Sequence, residues 1–174
     1  YAGTSMNKVA EAAGVIKATI YSHFKDKQQL FIAIIEEMTI KKVAIDFTNP
    51  EPILSLEPDE FIDVLTGKFC VLMQDPEYHA LFRLLVGESE RFPELAEIYG
   101  RTVILRGMGL ASKYFEVHKE LNIEDPQAMA HICAGSFISL MVWQQVLGGK
   151  NIMTLEVGRV RETLKALLRG QRQP

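Results

Sequence analysis

Much that would mark a chemical catalyst or a secreted protein is missing from this sequence. Only two cysteines occur in 174 residues, Cys70 and Cys133, each alone on a segment that reads as core. Buried free thiols are therefore expected, and neither a disulfide framework nor a thiolate metal site is. The four histidines, His23, His79, His118 and His131, show no metal-ligand spacing. No glycine-rich loop follows a strand and no nucleophile elbow is present, so we expect no enzyme, no metal and no cofactor. Glu88-Ser89-Glu90 reads as a solvated helix end. No apolar run approaches the roughly 20 residues that span a bilayer, and the first residues lack a basic stretch leading into an apolar one. The expectation is a soluble, cytoplasmic protein without a membrane partner. Strand-like alternation, internal repeats and low-complexity tracts are also absent, and every long segment fits the helical period, so the predicted fold class is all-α.

The net charge is small, -3, but it is unevenly spread. Residues 1–45 hold six lysines against four acids, a balance of +2, and the remainder holds 13 basic and 18 acidic residues, a balance of -5. The positive excess falls on the stretch with the most local order. Met6, Val9, Ala10 and Ala13 recur at helical spacing, and Gly14 suits the left-handed residue that ends such a helix. A second short helix comes next, with Val15, Ile20 and Phe24 predicted to face inward. Asp26 then caps a third, with Gln29 as its capping-box partner. Two short helices joined by a tight glycine turn, the second bearing small, hydroxylated, aromatic and basic side chains, form a helix-turn-helix pattern.

The run A-x-x-A-G-V-x-x-x-T-I-Y-x-H-F-x-x-K-x-x-L-F, Ala10 to Phe31, resembles the DNA-binding signature of the tetracycline-repressor (TetR) family. Leu81 to Ile104 also resembles C-terminal regions of some of its members. The resemblance implies a homodimeric regulator, by default a repressor, with an N-terminal DNA-binding unit and a helical C-terminal region for ligand binding and dimerisation. It also implies a helix ahead of Tyr1-Ala2-Gly3-Thr4, so a truncated N-terminus is expected. The predicted division is residues 1–47 for DNA binding and 48–174 for effector binding and dimerisation.

Beyond Asp26 the third helix is predicted to reach about Phe47, where Asn49-Pro50-Glu51-Pro52 breaks it. Further helices are predicted from Pro58, from Pro76 behind Asp75, from Pro93, from Pro126 behind Asp125 and from a Thr154 cap, with Gly148-Gly149 closing the penultimate one. Leu105 and Ile132 are predicted to point inward.

Duplex DNA requires side chains that fix register on phosphate and others that read base edges. Thr4 and Ser5 suit a phosphate or a helix cap, Lys27 the opposite backbone, and Tyr21 and His23 resemble the family's phosphate-contacting pair. Lys17, Ala18 and Thr19 are the expected base readers, with Ser22 beside them and Asn7 as a further contact. For a small apolar or amphipathic effector the candidates are Phe69, Met73, Phe82, Tyr99, Met108, Phe137, Met141 and Trp143, although an aromatic and methionine set at helical spacing is more often plain core. The small residues Ala134, Gly135, Ser136 and Ser139, with Val160, Leu164 and Leu167, are the dimer candidates, for which packing inside one subunit is the competing use. A helical protein-interaction module that does not act on DNA is the alternative, and salt-dependent duplex binding would separate the two.

Overall fold

The structure, a computed structural model, describes residues 3–171. Ten α-helices follow one another, with no strand among the described residues. In α1 (Met6–Ala12) the Ser5 hydroxyl accepts the Lys8 N–H at 3.3 Å. Gly14, at φ +67°, ends the helix: its N–H reaches the Glu11 carbonyl and the Val15 N–H reaches that of Ala10. This pair of bonds is a Schellman motif, which needs a left-handed residue at that position. α2 (Lys17–His23) begins at once. In α3 (Lys27–Glu36) the Asp26 carboxylate accepts the Gln29 N–H at 2.8 Å, while the Gln29 side chain accepts from Lys25 and not from Asp26 itself.

α3 stops earlier than the sequence pattern suggests. It widens into a π-helical turn, Glu37–Lys41, and Ala44 at φ +49° closes it with the same pair of bonds seen at Gly14, from Ala44 to Lys41 and from Ile45 to Ile40. Thr39 is fully buried there and its hydroxyl donates to the Ile35 carbonyl at 2.5 Å, competing with the regular backbone ladder. The prolines beyond do not merely break a helix: Glu51–Leu54 forms the short α4. α4 is held by the His118 ring against the Leu54 carbonyl, at 2.9 Å, and the chain after it by the Tyr114 hydroxyl donating to the Leu56 carbonyl at 2.9 Å.

α5 (Pro58–Met73), α6 (Pro76–Glu88), α7 (Pro93–Tyr99) and α9 (Pro126–Met141) all begin at a proline, whose missing N–H costs nothing in a first turn. α7 continues into α8 (Leu105–Val117) through a second π-helical turn, Gly100–Ile104. A π turn carries an extra residue and rotates the helix beyond it, so Val103 and Ile104 face inward while Leu105, predicted inward, is 64% exposed. Ile132 is likewise exposed, because the buried face of α9 runs through Ala130, Cys133, Phe137 and Leu140. α10 spans Val157–Gln171, and Thr154 does not cap it: its hydroxyl donates to the Lys150 carbonyl instead.

The largest core gathers Phe61, Tyr114, Phe115, Leu121, Phe137 and Leu164, mostly from α5, α8, α9 and α10. α5 and α10 are further joined by Asp59 to Arg169 and Asp63 to Lys165, two ion pairs one helical turn apart. A second core, Ile35 with Leu81, Leu85, Leu95 and Ile98, ties α3 to α6 and α7. No helix among the described residues is long and apolar enough to cross a membrane.

Candidate nucleic-acid interface and interior cavity

α1 and α2 share a very small core of Met6, Ala10 and Ile20, with Val9, Phe24 and Leu30 half-buried around it. Ile20 alone anchors α2, so the other six side chains of that helix face outward. Lys17, Ala18, Thr19, Tyr21, Ser22 and His23 are all exposed, as are Thr4, Ser5 and Asn7, and Lys27 is half-buried. The Lys17 ammonium lies over the Tyr21 ring, 5.5 Å from its centre, which puts a cation and a phenol on one face. Ser22 donates to the Thr19 carbonyl at 2.7 Å, so its hydroxyl proton is turned back on its own helix. Ser5, by contrast, uses only its oxygen on Lys8 and keeps a proton to donate. Val15 does not pack inward as predicted and is 40% exposed, because it belongs to the turn and its N–H closes α1.

Inside the helical body lies a cavity of about 150 Å³. Its walls come from the segment after α3 (Thr39, Ile40, Val43, Ile45, Phe47), from α5 (Leu65, Lys68, Phe69), from the second π turn and α8 (Val103, Ile104, Met108) and from α9 (Ala134, Ile138). Of the eight residues predicted for an effector, Phe69 and Met108 line this space, and Phe137 is stacked behind Phe69 with ring centres 5.2 Å apart.

The other five lie elsewhere, each for a local reason. Met73 and Met141 pack with Tyr78 and Leu140 in a separate core, and Phe82 packs against that cluster. Tyr99 spends its hydroxyl on Tyr78, 2.8 Å away and equally buried, and burial pushes both phenols above their usual range. Trp143 donates its indole N–H to the Met153 carbonyl at 3.2 Å and lies against Gly149, where a Cβ would run into the ring. The cavity-lining residues from Thr39 to Phe47 and Lys68, outside the predicted set, fall where the pattern reads as the tail of one helix and the polar side of another.

The dimer candidates also divide. Leu164 belongs to the core of its own subunit, since α10 packs on α5, and Ala134 faces the cavity. Ser136, Val160 and Leu167 border an outward groove between α9 and α10, together with Ile132, Thr163 and Leu164. Gly135 is half-buried and Ser139 exposed.

Residues 1–34 match the family described as bacterial regulatory proteins, tetR family. Residues 62–169 match the C-terminal domain described as that of AefR-like transcriptional repressors. The fold is similar to the crystal structure of a Mesorhizobium loti MAFF303099 protein assigned to the TetR family of transcriptional regulators. The TM-score is 0.68 at 21% identity, over 98% of this chain and 86% of that one. No curated protein matches the sequence. With its helix-turn-helix unit and a second family match spanning more than half its length, this chain belongs to the TetR family of transcriptional regulators.

Proposed function

We propose that this regulator is a homodimeric repressor that leaves a palindromic operator when a small apolar or amphipathic effector enters the cavity. The observation that carries the reading is a shared wall. Thr39, Ile40, Val43, Ile45 and Phe47 continue directly from α3, the last helix of the DNA-binding unit, and also line the cavity. An occupant that favours one position of that wall shifts DNA affinity by the difference in its affinity for the two positions. Residues 1–47 and 48–174 are the two functional regions on this reading, coupled through the segment they share.

In the DNA-binding unit, Lys17, Ala18 and Thr19 read bases, with Asn7 and Ser22 beside them. Thr4, Ser5, Tyr21, His23 and Lys27 hold phosphates. The two copies meet across the outward groove of α9 and α10, where exposed Ile132 and Leu167 flank Ser136 and Val160. Two-fold pairing of such a face presents two recognition helices to two half-sites.

The test is selection of bound fragments from random duplex DNA, followed by anisotropy titrations of wild type, Lys17→Ala and Lys27→Ala over a range of salt. A palindromic site is expected, with affinity falling as salt rises. Lys17→Ala should relax preference at particular base pairs by about 1–3 kcal/mol, while Lys27→Ala weakens every site alike. Absence of salt-dependent duplex binding would favour the interaction-module alternative, and a monomer at micromolar concentration by light scattering would remove the dimer.

A further inference from the structure

The cavity is apolar except at one place. Among its described lining residues two side chains carry polar atoms, Thr39 and Lys68. The Thr39 hydroxyl proton is already committed to the Ile35 carbonyl. Lys68 is half-buried, and its ammonium donates to the Ala44 carbonyl at 3.2 Å. An ammonium has three protons to donate, and no carboxylate lines the space to neutralise it. The remaining walls are hydrocarbon, Leu65, Phe69 and Met108 among them. A lone cation on an otherwise greasy wall favours an occupant with one negative charge, because a carboxylate gives the ammonium a charge-assisted hydrogen bond that a neutral group does not.

Size narrows the class further. A closed cavity of about 150 Å³ accepts benzene, and the space here, about 150 Å³ but partly open, admits a molecule of that size or somewhat longer. Resting on the effector reading above, we infer that the effector is a small monocarboxylate, aromatic or short aliphatic, whose carboxylate pairs with Lys68 while its hydrocarbon fills the cavity. The location of Lys68 also says how binding is felt. Ala44 is the left-handed residue that closes the wall segment behind α3, and its carbonyl is what Lys68 holds. A carboxylate that accepts a hydrogen bond from a second proton of that ammonium is thereby linked to the end of this segment.

Calorimetric titration of the whole chain with benzoate against benzamide, and with hexanoate against hexanamide, tests the inference. Each pair has nearly the same shape and differs by one charge. In the wild type the acids should bind about tenfold more tightly than the amides, the usual worth of a charge-assisted hydrogen bond. Lys68→Met should erase that preference and leave amide binding intact, which also shows the variant to be folded, and Lys68→Arg should keep it. Equal binding of acid and amide in the wild type, or a preference that survives Lys68→Met, overturns the carboxylate assignment alone. Failure of all four probes overturns it together with the view that this cavity takes small effectors, whereas duplex binding would stand untouched.

Discussion

The helix-turn-helix unit and the helical body solve the same problem with very different resources. Three buried residues, Met6, Ala10 and Ile20, hold α1 to α2, whereas the main core of the body stacks Phe61 on Tyr114 and Phe69 on Phe137 among many aliphatic side chains. Small helices that must expose most of their surface to a partner cannot also bury it. The recognition face is therefore supported by backbone devices, a serine cap and a glycine turn, and the body by area. The two regions also end a helix with the same hydrogen-bond motif, one with Gly14 and the other with Ala44. Glycine adopts the left-handed conformation freely. Alanine does so at a cost of about 1–2 kcal/mol, which the surrounding contacts of the 39–47 segment must offset.

Truncating each core should separate the regions most sharply. Phe137→Ala, at a fully buried site, is expected to destabilise the whole chain by about 3–5 kcal/mol and to lower its melting temperature. Ile20→Ala should abolish duplex binding while the melting of the body hardly changes. Equal loss of melting temperature in the two variants would mean that the two regions unfold as one.

A smaller effect tests the paired helix ends. Gly14→Ala should cost about 1 kcal/mol and Ala44→Gly should stabilise by about 0.5–1 kcal/mol, from backbone conformation alone. No atom lies within 4 Å of a Cβ built at Gly14, so no clash confuses the first. If Ala44→Gly destabilised in urea melts, the strain at that position would not be real.

Smallest of all is the effect of the thiol. Burial pushes Cys133 up to about 12, from an ordinary 9.0. The unfolded chain thus loses its proton near pH 9 while the folded one keeps it, so this group erodes stability as pH rises above about 9 and contributes nothing below. In native protein at pH 8, a thiol reagent should label the half-buried Cys70 and spare Cys133 until the chain is unfolded. Labelling of Cys133 at the same rate would mean that the core of the body opens readily.

Much of this was legible in the residues because it is local. Proline at positions 58, 76, 93 and 126, serine at 5, aspartate at 26 and glycine at 14 act within one turn of where they stand, and each marks a helix end in the structure. The outward face of α2 follows from having a single large apolar residue, Ile20, on its inner side. Other features depend on contacts distant in sequence. Helical period alone places Leu105 and Ile132 inside, because it does not register the π turn before α8 or the groove beside α9. Aromatic composition likewise makes Tyr99 and Trp143 as suitable for a ligand as Phe69, until Tyr78 and Gly149 are found to occupy them.

The sequence by itself determined the helical fold, most helix starts and the outward face of α2, since spacing, caps and turn residues act over three or four positions. Only the tertiary structure decided where the cavity lies, which cation it holds and which wall it shares with the DNA-binding unit. Those depend on Thr39, Lys68 and Ile138, residues far apart in the chain, and on helix packing that fixes which sides of α5, α8 and α9 face one another.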